Sequence, residues 1–152
     1  AMNYKSIEEF VEIVGEEFLW NIVSDYVERD VVQIKAELKK IPYLDRDIDS
    51  ITTAEIQTSD EFIITDYHSE DGIMTVSFDM PAIINAHSDD KSVYYRITTS
   101  CIGTVEIPDE NPHNWKALDF KNMSNQDILS YSHLAKNINV SYEYTEADDC
   151  DA

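Results

Sequence analysis

Read at period two, the stretch from Val93 to Ile107 separates into two faces. Val93, Tyr95, Ile97, Thr99, Cys101, Val105 and Ile107 fall on one, and Tyr94, Arg96, Thr98, Ser100, Thr104 and Glu106 on the other. Ile102 is the one apolar residue on the polar side. Alternation of this length predicts a long strand with one dry face and one wet face. Gly103 stands on the dry face where a side chain is expected, so a bulge or sharp bend is predicted there.

The N-terminal part has a different period. Ser6-Ile-Glu-Glu9 has the form of a capping box, in which residues one and four exchange hydrogen bonds at a helix start. Ile7, Phe10, Val11, Val14 and Phe18 follow at spacings of three and four, an amphipathic stripe interrupted by Gly15. A second register, Val27, Val31, Ile34, Leu38 and Ile41, runs to Pro42, which stops it. One bent helix and two helices both fit, with Ser24-Asp25 or Asp30 as the internal cap.

After a polar link from Leu44 to Ser50, Ile51–Gln57 and Glu61–Tyr67 read as short strands. His68–Gly72 (HSEDG) reads as a turn leading to a strand from Ile73 to Met80. Pro81 loosens that strand without ending it, because Ala82 to Ala86 stays apolar. His87–Ser92 is a second turn, and Pro108–Asn114 (PDENPHN) a loop. Trp115–Met123 matches no pattern. Ser124, with Asp127 three later, caps a helix carrying Ile128, Leu129, Tyr131, Leu134 and Ala135 and closed by Asn137. Ile138–Thr145 alternates again, and the end of the chain, from Glu146, is acidic and expected to fray.

The order is helices, hairpin-connected strands, helix, strand. It predicts an α+β fold: a mainly antiparallel twisted sheet of about five strands, with the N-terminal helices and one C-terminal helix packed on one face. One domain over 2–147 with a disordered acidic tail at 148–152 is expected, and Ala1 before Met2 reads as a cloning remnant. A chain of 152 residues is long enough to bury roughly two-thirds of its unfolded surface.

Charge changes the picture most. Eleven Lys and Arg against thirty-one Asp and Glu give a net charge of −20. Nucleic acid and anionic membrane are disfavoured as partners, since both are bound through cationic side chains. A basic protein is favoured, because an anionic surface steers it in. Solubility alone is the competing account of the charge. No apolar run is long enough to span a membrane and no signal peptide is visible. Two cysteines, Cys101 on the dry face and Cys150 in the tail, make no disulfide framework, so both are expected reduced and the protein cytoplasmic.

Motifs of catalysis are missing. There is no G-x-S-x-G, P-loop or G-x-G-x-x-G, and three glycines cannot cradle a phosphate. Asp45, Asp47 and Asp49 resemble the start of a calcium loop, but Ser50 replaces its glycine and Ile56 its final glutamate. His68, His87, His113 and His133 have no metal-ligand spacing and read as surface histidines; a zinc site from His68, Asp71 and His87 is the weaker alternative. No metal, cofactor or enzyme activity is expected.

What remains is a non-catalytic acidic binding protein, an immunity- or antitoxin-type inhibitor of a basic partner such as a nuclease toxin. Its contact residues are expected in the acidic loops, as Asp45, Asp47, Asp49, Asp89, Asp90, Asp109 and Glu110. Tyr94 and Arg96 on the wet strand face and His113 and Trp115 in the long loop are added as adhesive side chains. The rival readings are an accessory or oligomerisation domain of a larger bacterial protein, pairing as a homodimer, and a metal-dependent module using the acidic loops.

Overall fold

Apolar residues at every second position hold a fifteen-residue strand together across a proline. This strand, β3 (Ile73–His87), buries Met74, Val76, Phe78, Met80, Ala82, Ile84 and Ala86 in unbroken alternation. Pro81 lacks a backbone donor. It lies where β3's partner changes: the pairing with β1 (Thr53–Thr58) runs from Thr53↔His87 to Thr58↔Ile83, and that with β2 (Ile63–Glu70) from Ile63↔Asp79 to Glu70↔Ile73. Both are antiparallel, so residues 80–82 fall between two registers and the proline interrupts neither.

The structure is a computed structural model that describes residues 7–44, 47–59, 61–108 and 122–149. Helices α1 (Ile7–Arg29) and α2 (Val31–Leu38) come first, then a 3-10 turn at Ile48–Ser50 and strands β1, β2 and β3. Strand β4 (Tyr94–Pro108), helix α3 (Asn125–Leu129), a 3-10 turn at Ser132–Leu134 and β5 (Lys136–Asp149) follow. The described strands form one five-stranded sheet in the order β1-β3-β4-β5, with β2 also paired to β3. The fold is α+β with an antiparallel sheet, as the alternation predicts.

By contact density the chain divides into two compact units. One comprises 1–23, 62–79 and 103–140, and its core is Phe18, Leu19, Ile22, Val23, Phe62, Met74, Val76, Phe78, Val105, Ile107 and Ile128. Phe62 stacks on Phe78 with ring centroids 5.2 Å apart. Here Gly103 is explained: a Cβ on it would collide with the backbone carbonyl of Asn139 in β5. The prediction of a bulge or bend becomes a close approach of backbones, while β4 continues as strand through Gly103.

The other unit comprises 24–61, 80–102 and 141–152. In it the helices cover the face of the sheet that carries Met80 and Tyr142. Ser24 Oγ lies 3.6 Å from Met80 Sδ, the Tyr142 hydroxyl donates to Asp30 at 2.8 Å, and the Tyr144 hydroxyl donates to the Ile34 carbonyl at 3.3 Å. The two helices are separate, parted at Asp30, whose backbone (φ −90°, ψ 42°) leaves the helical region. Its side chain makes no cap hydrogen bond, so the expected cap is a backbone break only. Gly15 does not interrupt α1. Ser6 and the side chains of the stripe before Glu16 lie outside the described residues.

Three boundaries differ from the sequence reading. The turn between β2 and β3 is two residues, not five. Asp71 (φ 52°) and Gly72 (φ 76°) both take left-handed backbone, the signature of a tight I′ turn, so His68, Ser69 and Glu70 belong to β2. The helix after Ser124 is one turn long, its cap intact (Asp127 N–H to Ser124 Oγ, 3.2 Å), and Lys136 already begins β5. Finally, β5 runs on to Asp149 with Ala147 buried, so Glu146 to Asp149 are strand rather than a frayed end.

Burial pushes the hydroxyls of Tyr142 and Tyr144 well above the ordinary tyrosine range; Asp30, hydrogen-bonded to Tyr142, adds to the first, and the charge of Glu37 to the second. A raised folded value means that stability is intact below about pH 10, the ordinary value, and is lost as pH rises above it. Phenolate absorbance is therefore expected to rise for these two tyrosines only together with alkaline unfolding, and Tyr142→Phe to shift that unfolding upward in pH. Gly103→Ala is expected to destabilise the fold by about 1–3 kcal/mol through the clash with Asn139, read as a lower urea midpoint at unchanged slope.

Candidate functional site: an anionic sheet edge and its turns

The link before β1 and the turn after β3 come together at one end of the second unit. Thr52 donates its backbone N–H to the His87 carbonyl (3.0 Å) and its hydroxyl to Asp89 Oδ1 (2.5 Å). The turn is closed by Ser88 N–H to the Val93 carbonyl at 2.9 Å, with Lys91 at φ 60°. Four predicted residues, Asp47, Asp49, Asp89 and Asp90, are thereby carried by two neighbouring segments, and all four are exposed.

These aspartates differ in how they are held. Asp90 accepts the Ser92 backbone N–H at 3.0 Å and the Ser88 hydroxyl at 2.9 Å. Hydrogen bonds from Ser92 first, then Ser88, pull its carboxyl down to about 2. Asp49 is bound by Lys39 in an ion pair, and Lys35 Nζ donates to its backbone carbonyl at 2.9 Å. The hydrogen bond and charge of Lys39 hold its carboxyl below the usual range. Asp49 is therefore largely neutralised by its neighbours, whereas Asp89 and Asp90 are fixed by uncharged donors and keep their field.

Beside them, His87 does not match the sequence reading. Rather than a surface turn residue it ends β3, 7% exposed, its Nδ1 donating to the Ser88 carbonyl at 2.7 Å and its ring stacked on Tyr94 at 5.5 Å. Its Nε2 faces Glu55 of β1 at 3.9 Å. The alternation did not mark its burial, since His87 is at an odd position of β3, where the other residues are half-buried or exposed; its stacking on Tyr94 needs the folded strands. Tyr94 is half-buried by the stacking and Arg96 is exposed. His68 is exposed in β2 and His133 in the 3-10 turn. Asp45, Asp109, Glu110, His113 and Trp115 lie outside the described residues.

On that same face a 320 Å³ depression is lined by Pro81, Ile83, Thr98, Ser100 and Thr58, with no charged group among them. Asn85 Oδ1, two positions along from Ile83, is a buried acceptor with no hydrogen-bond partner among the described residues, as is Asp79 Oδ1. Among the described residues no three His, Cys, Asp or Glu side chains are grouped to hold a metal ion, and no helix is long and apolar enough to cross a membrane. Cys101 is a buried thiol in the core.

One feature went unread in the sequence. From Asp47 to Asp90 there is no Lys or Arg, and the segment carries eleven carboxylates: Asp47, Asp49, Glu55, Asp60, Glu61, Asp66, Glu70, Asp71, Asp79, Asp89 and Asp90. That segment builds β1, β2 and β3. Five of the eleven cations, Arg29, Lys35, Lys39, Lys40 and Arg46, lie within residues 29–46. The total of −20 does not show where along the chain the sign is unmixed.

Carboxylates also act on the edge strands directly. The Ile56 N–H of β1 donates to Glu28 at 2.8 Å, and the Tyr67 N–H of β2 to Asp66 at 2.8 Å. No protein-family model, curated protein or solved structure matches this chain.

Ser88→Ala is expected to raise the Asp90 carboxyl toward the ordinary 3.8, followed by NMR of the side-chain carboxyl carbon. Because the native value is depressed, the stabilisation by Asp90 is complete above about pH 4 and disappears as pH falls toward 2. The variant should lose that part of its acid dependence.

Proposed function

We propose that this chain is a non-catalytic binding protein for a basic protein partner, an inhibitor of the immunity or antitoxin type that covers the nucleic-acid-binding surface of a nuclease toxin. The reading is supported by one observation above the rest, the Asp47–Asp90 segment that builds three strands and their turns with eleven carboxylates and no Lys or Arg. A surface of one sign attracts a cationic one over about 10 Å at ordinary salt, raising the association rate more than the affinity. Nuclease surfaces are cationic because they bind phosphate, so an anionic protein competes for the same side chains.

In this reading Asp89 and Asp90 are the most effective anions, being held by Thr52, Ser88 and Ser92 and needing no ordering on binding. Arg96 and Tyr94 border them on the sheet face, and Asp49 contributes less because of Lys39. The protein acts in the cytoplasm with Cys101 reduced, as a partner of a toxin held inactive until release.

The test is titration of the full chain against the basic proteins encoded beside its gene, at rising salt. A complex is expected whose association rate falls at least about tenfold between low and high salt. Asp89→Lys with Glu55→Lys is expected to slow association similarly without changing the circular dichroism spectrum. Binding that ignores both salt and the charge reversals would overturn the reading.

A further inference from the structure

We propose that the outer edge of β2, from Asp66 to Glu70, takes an extended lysine- or arginine-rich segment of the partner as an added strand. This rests on the charge reading above and adds to it the mode of docking. Among the described residues β2 pairs with β3 alone, and Asp66, His68, Ser69 and Glu70 are exposed.

The hairpin geometry identifies the groups on that edge. Glu70 and Ile73 flank a two-residue turn, and such a closing pair exchanges its backbone hydrogen bonds inward. Direction alternates along a strand, so the backbone groups of Ser69 and Tyr67 point away from β3. The Tyr67 N–H confirms the assignment, because its acceptor is the carboxylate of the adjacent Asp66 and not β3.

Comparison of the edges selects β2. On β1 the Ile56 N–H is held by Glu28 of α1, and on β5 the Ala147 carbonyl takes the Tyr43 hydroxyl at 3.2 Å. Both are stopped by side chains from other elements. On β2 the stopper is Asp66, a residue of the strand itself, which a carbonyl from an incoming strand can displace. Displacement frees a carboxylate beside the new strand, where a cation can meet it.

Sign then selects the occupant. Edge strands are usually guarded by Lys or Pro; β2 contains neither and carries Asp66 and Glu70, with Asp71 next in the turn. A second copy of β2 would set like charges opposite one another, which is unfavourable. A cationic strand sets opposite charges there and supplies the missing backbone partners.

The experiment uses the full chain, labelled with ¹⁵N, and two short synthetic peptides of alternating lysine and threonine. The second peptide carries N-methyl groups on alternate amides, so its charge is the same and its backbone cannot pair. At low salt the first peptide is expected to slow amide exchange at Tyr67 and Ser69 and to bind at least about tenfold more tightly than the second. Ser69→Pro, which removes an outward N–H and none of the bonds to β3, is expected to weaken the first peptide to the level of the second. Equal binding of both peptides, or protection elsewhere, overturns strand addition and leaves the charge reading standing. Failure of both peptides to bind at low salt overturns both.

Discussion

A backbone strand of fifteen residues presents a donor and an acceptor at almost every position on two edges, and each must be bonded to something. In this chain β3 sets that demand, and the other strands answer it. One edge is taken by β4; the other is shared by β1 and β2, which meet it on either side of Pro81. The proline marks where the answer changes hands. The same requirement passes outward to the next edges, where no further strand is present among the described residues. There it is met by carboxylates, Glu28 on Ile56 and Asp66 on Tyr67. Acidity in this protein is thus partly architectural: some of its anions do what a neighbouring strand does elsewhere.

Several cations, by contrast, are grouped near α2. Arg29 pairs with Asp25 at 3.1 Å, Lys40 with Glu37 at 3.0 Å, and Lys39 with Asp49, all around α2 and the ends that flank it. Exposed pairs of this kind are screened by solvent, so their effect on stability is small. Five of the eleven cations lie within residues 29–46 and none within Asp47 to Asp90, so the segment's own sequence is of one sign, and Lys39 and Lys35 offset it only at Asp49.

Sequence periodicity carried the fold because burial here is nearly pure alternation. Met74 to Ala86 and Val93 to Ile107 obey period two almost without exception, and tertiary structure had nothing to override. Where the structure departs from the pattern, a local geometric fact outweighs it. Five polar residues looked like a loop, yet Asp71-Gly72 alone can turn the chain, and His68 to Glu70 are polar because the strand they join is an exposed edge. Gly103 was recognised as special, but its cause, the Asn139 carbonyl, lies 36 residues away and leaves no local trace. The candidate site was legible only in part. Asp89 and Asp90 were identifiable as loop acids, whereas the donors that fix them, and the lysine that neutralises Asp49, required the folded chain.

The number of acids matters less than their preparation. A flexible carboxylate loses side-chain freedom when it meets a cation and returns little at an exposed site. Asp90 has already made that loss, because Ser88 and Ser92 orient it in the free protein. Thr52 does the same for Asp89 and joins two segments in doing so. On β2 the orientation is supplied by the strand, which fixes Asp66 and Glu70 on one backbone. In the proposed reading a second copy is a poor occupant of these surfaces, since it brings another −20. A cationic partner would, in that reading, meet anions already in position, so the entropy that usually cancels a surface ion pair is lost in folding, before any partner arrives.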